Sequence, residues 1–189
     1  MANKVKFGLS NVHIAPITAA SANGFTYDTP FALPGAVNLT LDPEGESADF
    51  FGDNVKYFSE YANQGYAGSL EIAMINDDFR TKILGETVDS NGAMIESTDD
   101  TIKDFALGFQ IDGDKANRKF WFYNVSAQRP STTGQTIETS KEPTTDTLNI
   151  TASARISDNK VRVFMEKSDD NTTAYNSFFE SVYEKVPSA

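Results

Sequence analysis

The chain reads as a mainly β fold, a β-sandwich or barrel-like domain with one short packed helix near residues 76–84 and a second helix at its C-terminus. Three observations predict this. Short runs of alternating apolar and polar residues recur between Gly, Pro, Asn and Asp. Fourteen Phe, seven Tyr and one Trp supply the bulky side chains that suit a pleated surface. Before the C-terminus, a single stretch combines helix start, face and stop signals.

Taken in order, Val5, Phe7 and Leu9 alternate with Lys4, Lys6 and Gly8, and Val12 and Ile14 flank His13, so the chain opens as strand, bend, strand, with Pro16 expected to end it. Small and turn-forming residues from Thr18 to Pro34 predict a loop. Val37, Leu39 and Leu41 form a one-sided strand that Asp42-Pro43-Glu44-Gly45 is expected to close as a turn.

The segment at about residues 44–65 is different. Phe50, Phe51, Tyr57, Phe58 and Tyr61, with Tyr66 just beyond, crowd a region that also carries Asp49, Asp53, Asn54 and Glu60. Phe58 breaks the alternation of Val55 and Tyr57, which leaves aromatic groups on both faces of a long hairpin. A ribbon packed only on its own sheet needs one apolar face, so these six residues are candidates for a subunit interface. The competing reading is a hairpin packed on its own domain.

Leu70, Ile72 and Met74 then fall on one side of a strand that leads to Asn76, a helix cap. Asp77 and Asp78 occupy the positive first turn, Phe79 and Ile83 share a face, Leu84 follows, and Gly85 supplies a left-handed stop. Phe79, Ile83 and Leu84 are therefore predicted to pack the helix onto the sheet. Asn91-Gly92 marks a small hairpin between Glu86-Thr87-Val88 and Ala93-Met94-Ile95-Glu96. Phe105, Leu107, Phe109 and Ile111 give the most regular apolar face, opposite Ala106 and Gly108, and Asp112-Gly113-Asp114 starts a turn. Phe120 to Val125 is bulky on both faces, as in a strand buried on both sides. Residues 129–147 are polar, proline-punctuated and read as an extended loop. Leu148, Ile150, Ala152 and Ala154 alternate, Ser157-Asp158-Asn159 turns, and Val161 and Val163 follow. In an arm over residues 168–189, Tyr175, Phe178, Phe179 and Val182 recur at helical spacing and are expected to dock.

At 189 residues the chain suits a single domain. It has no cysteine, so neither disulfides nor thiolate metal sites arise. No apolar run approaches signal or membrane length, which predicts folding in a cytoplasm and no membrane contact. Sixteen basic against twenty-seven acidic residues, a formal charge of −11, oppose tight contact with nucleic acid phosphates. Catalytic machinery is not evident. The lone His13 has no cysteine to activate and reads as a strand side chain, and no phosphate-binding or dinucleotide loop occurs. The acidic pairs Asp77-Asp78, Asp99-Asp100 and Asp169-Asp170 fit helix starts and turns better than a calcium loop. The expectation is a protein that is not an enzyme and takes no cofactor or metal.

The order of elements resembles the major tail proteins that build the tail tube of long-tailed bacteriophages of Gram-positive hosts. The similarity is carried by Lys4-Val5-Lys6-Phe7-Gly8-Leu9-Ser10-Asn11-Val12, Asn76-Asp77-Asp78-Phe79 with Leu84-Gly85, and Val88-Asp89-Ser90-Asn91-Gly92. It continues through Phe105-Ala106-Leu107-Gly108-Phe109, Asn117-Arg118-Lys119-Phe120-Trp121-Phe122-Tyr123-Asn124 and Thr147-Leu148-Asn149-Ile150-Thr151. The resemblance implies a tail-tube fold, a virion protein, and a homo-oligomer of rings, usually of six, stacked into a tube. It also implies a tape-measure protein in the lumen, tail terminator and distal tail proteins as partners, and phage DNA passing without specific binding. In that family a long loop between early strands reaches the neighbouring ring, and residues 44–65 match it by position, with residues 129–147 a competing candidate. A tube protein of a secretion or contractile injection system and an acidic β-sandwich carbohydrate-binding module are the alternatives.

Overall fold

The computed structural model describes residues 7–113, 117–134, 136 and 144–186. The fold is mainly β. Its principal sheet is antiparallel, in the order β2 (Gly24–Tyr27), β1 (Leu9–Ser21), β10 (Phe105–Ile111), β11 (Arg118–Ala127), β12 (Asp146–Ser153), β7 (Gly65–Ile72), β4 (Ala36–Glu44). β3 (Phe31–Ala32) adds to β1, and β13 (Arg162–Met165) adds to β11 beside its first half, while β12 takes the second half. β1 and β4 touch, so the sheet curls nearly into a barrel.

One face encloses the main core. Val12 and Ile14 from β1, Leu107 and Phe109 from β10, Phe122 from β11, Leu70 and Ile72 from β7, and Leu148 and Ile150 from β12 all meet there. β11 supplies Phe120 and Phe122 and then Val125 and Ala127 to this same core. The change from even to odd positions is produced by a bulge: Leu107 pairs with Phe122 but Phe105 pairs with Val125, so one extra residue in β11 re-aims the strand.

The helix signals hold. Asn76 accepts the Phe79 amide at 3.0 Å and donates to the Ala32 carbonyl at 3.2 Å, which ties the helix start to β3. α1 (Asp77–Phe79) widens into a π turn (Arg80–Leu84), closed where Gly85 takes φ 81° and its amide reaches the Arg80 carbonyl. Phe79, Ile83 and Leu84 are buried, and Phe79 meets Phe105 edge-to-face at 5.7 Å.

The opposite face of β10 and β11 holds a second core. Gly108 leaves room for Trp121, whose ring would lie 2.8 Å from a β-carbon there. The C-terminal arm, with a turn of 3₁₀ helix (Asp169–Asn171) and α2 (Thr172–Asn176), covers this face with Tyr175, Phe178 and Val182. Three alternate side chains of β11 each donate to an arm carbonyl: Lys119 Nζ to Tyr175 at 2.7 Å, Trp121 Nε1 to Phe178 at 2.8 Å and Tyr123 Oη to Tyr183 at 2.9 Å. The arm docks as expected, but its regular helix is shorter than the spacing suggested because these side chains satisfy the carbonyls instead. Burial lowers the Lys119 pKa. Arg155, 3% exposed, is held by its near neighbour Asp158 at 2.6 Å, latches the arm through Glu184, and lies 4.1 Å from the Tyr123 ring.

Several sequence expectations need correction. Pro16 does not end β1; the strand continues to Ser21 and changes partner there, with Pro16 opposite Phe105 and its carbonyl accepting the Asp28 amide at 2.8 Å. The expected loop from Thr18 to Pro34 contains the rest of β1, all of β2 and β3. Asp42-Pro43-Glu44 is strand, paired with Ala67, Tyr66 and Gly65; Pro43 is tolerated because β4 is an edge strand. Val37 is exposed because a bulge between Ala36 and Asn38 breaks the one-sided pattern. Met74 is exposed because β7 ends at Ile72, and Ile75 is buried in its place. The bend in β1 is real, at Asn11 with φ 51°. The Asn91-Gly92 hairpin forms between β8 (Thr87–Val88) and β9 (Met94–Ile95). Val5, Asp114 and the central part of the 129–147 loop lie outside the described residues.

Two outcomes follow from this packing. Phe79→Ala should destabilise the protein by about 3 to 5 kcal/mol, read from chemical denaturation, because the ring is fully buried between helix and sheet. The Asp158 carboxyl is raised by burial but held at about 2 overall by hydrogen bonds from Arg155 and Lys160. A depressed carboxylate contributes stability that is complete above its ordinary value near 3.8 and is lost as pH falls toward about 2. Melting temperature should therefore drop across that window, and Asp158→Asn should flatten the drop.

Candidate assembly surface

Residues 44–65 form a ribbon rather than a loop. β5 (Ser47–Gly52) and β6 (Val55–Tyr61) pair only with each other. The link to the sheet is two main-chain bonds, Ala62 to Glu46 at 3.0 Å and Gln64 to Glu44 at 2.9 Å. At the tip Asp53 and Asn54 both take positive φ, 51° and 63°, the backbone of a two-residue turn that matches strand twist.

Register fixes the faces. Ala48 opposes Glu60 and Phe50 opposes Phe58, which places these four side chains on one face. Asp49 opposes Ser59 and Ser47 opposes Tyr61 on the other. There Asp49 accepts Ser59 Oγ at 2.7 Å and pairs with Lys56 at 2.8 Å. These hydrogen bonds lower the Asp49 pKa, that from Lys56 most. A register shift after Phe50 sets Phe51 opposite Lys56 on the face of Asp49 and Tyr61, while Tyr57, the extra residue, lies beside Gly52. Phe50, Phe51, Tyr57, Phe58 and Tyr61, with Val55, are 52 to 81% exposed. Among the described residues, nothing covers either face. An isolated two-stranded ribbon is marginal in water, and one with aromatics on both sides leaves a large apolar surface wet.

Tyr66 stands apart from the other five. It is half-buried, edge-on to Phe122 at 5.3 Å, with the Arg162 guanidinium 5.1 Å from its ring centre. It belongs to the wall of an open apolar cleft of about 500 Å³. The cleft lies where β4 diverges from β1, between Val37, Leu39 and Leu41 on one side and Phe109 and Phe120 on the other, with exposed Arg162 at its edge. No described carboxylate pairs with Arg162. The sequence reading missed both the tip turn, which Asp53-Asn54 between aromatic runs signals, and the cleft, whose walls lie far apart in the chain.

The remaining candidates for chemistry are structurally engaged. His13 stacks on Phe179 at 4.6 Å, and its Nδ1 lies 2.8 Å from the Asn11 carbonyl oxygen. Asp77 and Asp78 open the helix, Asp100 accepts the Ser97 amide at 2.7 Å, and Asp169-Asp170 begin the turn before α2. Arg129, at the start of the polar loop, pairs with Glu96 at 2.8 Å. Among the described residues no three His, Asp or Glu converge as a metal site, and no helix is long and apolar enough to cross a membrane. In comparison with known proteins, no family model matches the chain and no curated protein matches it.

Proposed function

We propose that the protein is a structural subunit that assembles with copies of itself into rings stacked as a tube, the tail tube of a long-tailed bacteriophage. The observation that carries this reading is the uncovered ribbon with aromatic residues on both faces. Its single-chain state leaves it solvated, and a repeated contact between copies would bury both sides. A carbohydrate platform is a weaker fit, since stacking on sugars needs rings aligned on one face. In this reading the rings hold six copies, a tape-measure protein fills the lumen during assembly, terminator and distal tail proteins close the ends, and the virion is the site of action. The acidic chain suits a conduit, because like charge repels phosphate and leaves DNA mobile. A tube of a secretion or injection system would use the same surfaces and differ in its surroundings.

Negative-stain microscopy of the purified protein over a concentration series should show annular or tubular particles. Tyr57→Ala with Tyr61→Ala should leave circular dichroism and melting unchanged, since neither ring packs on the domain, yet abolish those particles. Interface aromatics typically contribute about 2 kcal/mol or more each, and a tube repeats the loss at every contact. A wild-type chain that stays monomeric at every concentration, or a double variant that assembles normally, overturns the reading.

A further inference from the structure

Among the described residues, nothing covers the aromatic ribbon and nothing fills the cleft. The cleft is not filled by its own ribbon, because Phe50 and Phe58 are 62% and 52% exposed and neither lines it. The two surfaces are complementary. On the ribbon, Phe50 and Phe58 sit side by side with Glu60 next along the same face. Across the cleft, aliphatic side chains of β4 face the rings of Phe109 and Phe120, and among the described lining residues the one cation is Arg162, at the rim. The charges match as well: the ribbon segment carries Glu44, Glu46, Asp49, Asp53 and Glu60 against Lys56 alone, and that lysine is already paired with Asp49. Glu60 has no described cation partner, and among the described residues Arg162 rests on the rings of Tyr66 and Phe122, at 5.1 and 5.9 Å.

We infer that the ribbon of one copy enters the cleft of a second copy, with Phe50 and Phe58 as its anchors and Glu60 set against Arg162, an inference that rests on the assembly reading above. Ribbon and cleft are different patches of the same chain, so the contact is head-to-tail. Each copy that receives a ribbon still offers its own, and the contact propagates until a ring closes or a filament grows. A two-fold dimer would use both pairs at once and stop at two.

The absence of cysteine provides a clean background for the test. Ala48→Cys combined with Val37→Cys places one thiol on the ribbon face beside Phe50 and one on the cleft wall, both at exposed positions, and leaves the two anchors in place. Treated with a short bis-maleimide, assembled particles of this variant should yield a ladder of covalent oligomers, while either single variant should stop at dimers. Assembled particles that give no ladder, or a monomer bridged within itself, overturn the inference. Charge reversal gives an independent arm. Glu60→Arg and Arg162→Glu, each folded by circular dichroism, should raise the concentration for half-assembly at least about tenfold, and the two together should restore it to within about threefold of wild type. A combined variant no better than either single one overturns the pairing. If the unmodified chain never assembles, the proposed function itself fails. If it assembles while both arms fail, the ribbon meets another surface and only this inference is lost.

Discussion

The rest of the structure depends on β11, a strand that must be covered on both faces. Its inward side chains, Phe120 and Phe122, stack with Phe109 at 4.9 and 6.0 Å and hold the main core together. Its outward side chains, Lys119, Trp121 and Tyr123, are large, nearly dry and polar only at their tips. A strand with such side chains cannot face water, and it cannot face a purely apolar layer without stranding three donors. The C-terminal arm meets both needs. It brings Phe178 and Val182 for the rings and three carbonyls for the donors, spaced at Tyr175, Phe178 and Tyr183 to meet alternate residues of the strand. The arm is irregular because its carbonyls are used this way. Burial raises the Tyr27 hydroxyl to about 12, and raises that of Tyr123 as well, so both stay protonated and Tyr123 stays a donor throughout the physiological range.

What was legible in the sequence was local. Asn76, Phe79, Ile83 and Gly85 lie within ten residues and specify cap, face and stop without reference to the rest of the chain, and the helix forms where they say. β12 keeps strict alternation within a regular ladder, and β10 keeps its own because the bulges beside it insert the extra residue in β1 and β11. The errors share a different cause. Pro16 and Pro43 read as terminators, yet a strand tolerates proline where it changes partners or lies at a sheet edge, and neither condition is visible before the topology is known. Val37 and Met74 have the right spacing for burial and are exposed, the first through a bulge and the second because its strand stops two residues earlier. Tyr66 was grouped with the ribbon by proximity in sequence, but it lies on β7, past the ribbon's last rung, where the chain has rejoined the sheet. The ribbon itself was legible as an anomaly. Its periodicity failure between Tyr57 and Phe58 is the register shift seen from the sequence side.

Stability and exposure are divided between separate parts of the molecule. The core, the plugging helix and the latched arm are complete within one chain, whereas the ribbon is joined through Glu44, Glu46, Ala62 and Gln64 and contributes no residue to either core. Substitutions on the ribbon therefore act on what the protein meets rather than on whether it folds. The same separation constrains where evolution could place an aromatic ribbon of this kind. Were it part of the sheet, its two-faced pattern would force one set of rings into solvent permanently. Set beyond the end of β4 and β7, it can stay wet in the free subunit and become covered on contact.

That arrangement also requires protection against covering the ribbon wrongly. β4 is an edge strand, and its exposed ladder could pair with another chain anywhere along its length. Toward the ribbon it carries Asp42, Pro43 and Glu44, two charges and a residue with no donor, which oppose unspecific strand addition there. Toward its start, at the bulge beside Val37, the edge borders the cleft instead. The edge that would otherwise invite indiscriminate pairing is thus blocked at one end and converted to an apolar recess at the other. In the inferred contact the recess takes a ribbon that brings rings and a carboxylate for Arg162. Discrimination of that kind comes from the penalty on wrong partners as much as from attraction to the right one.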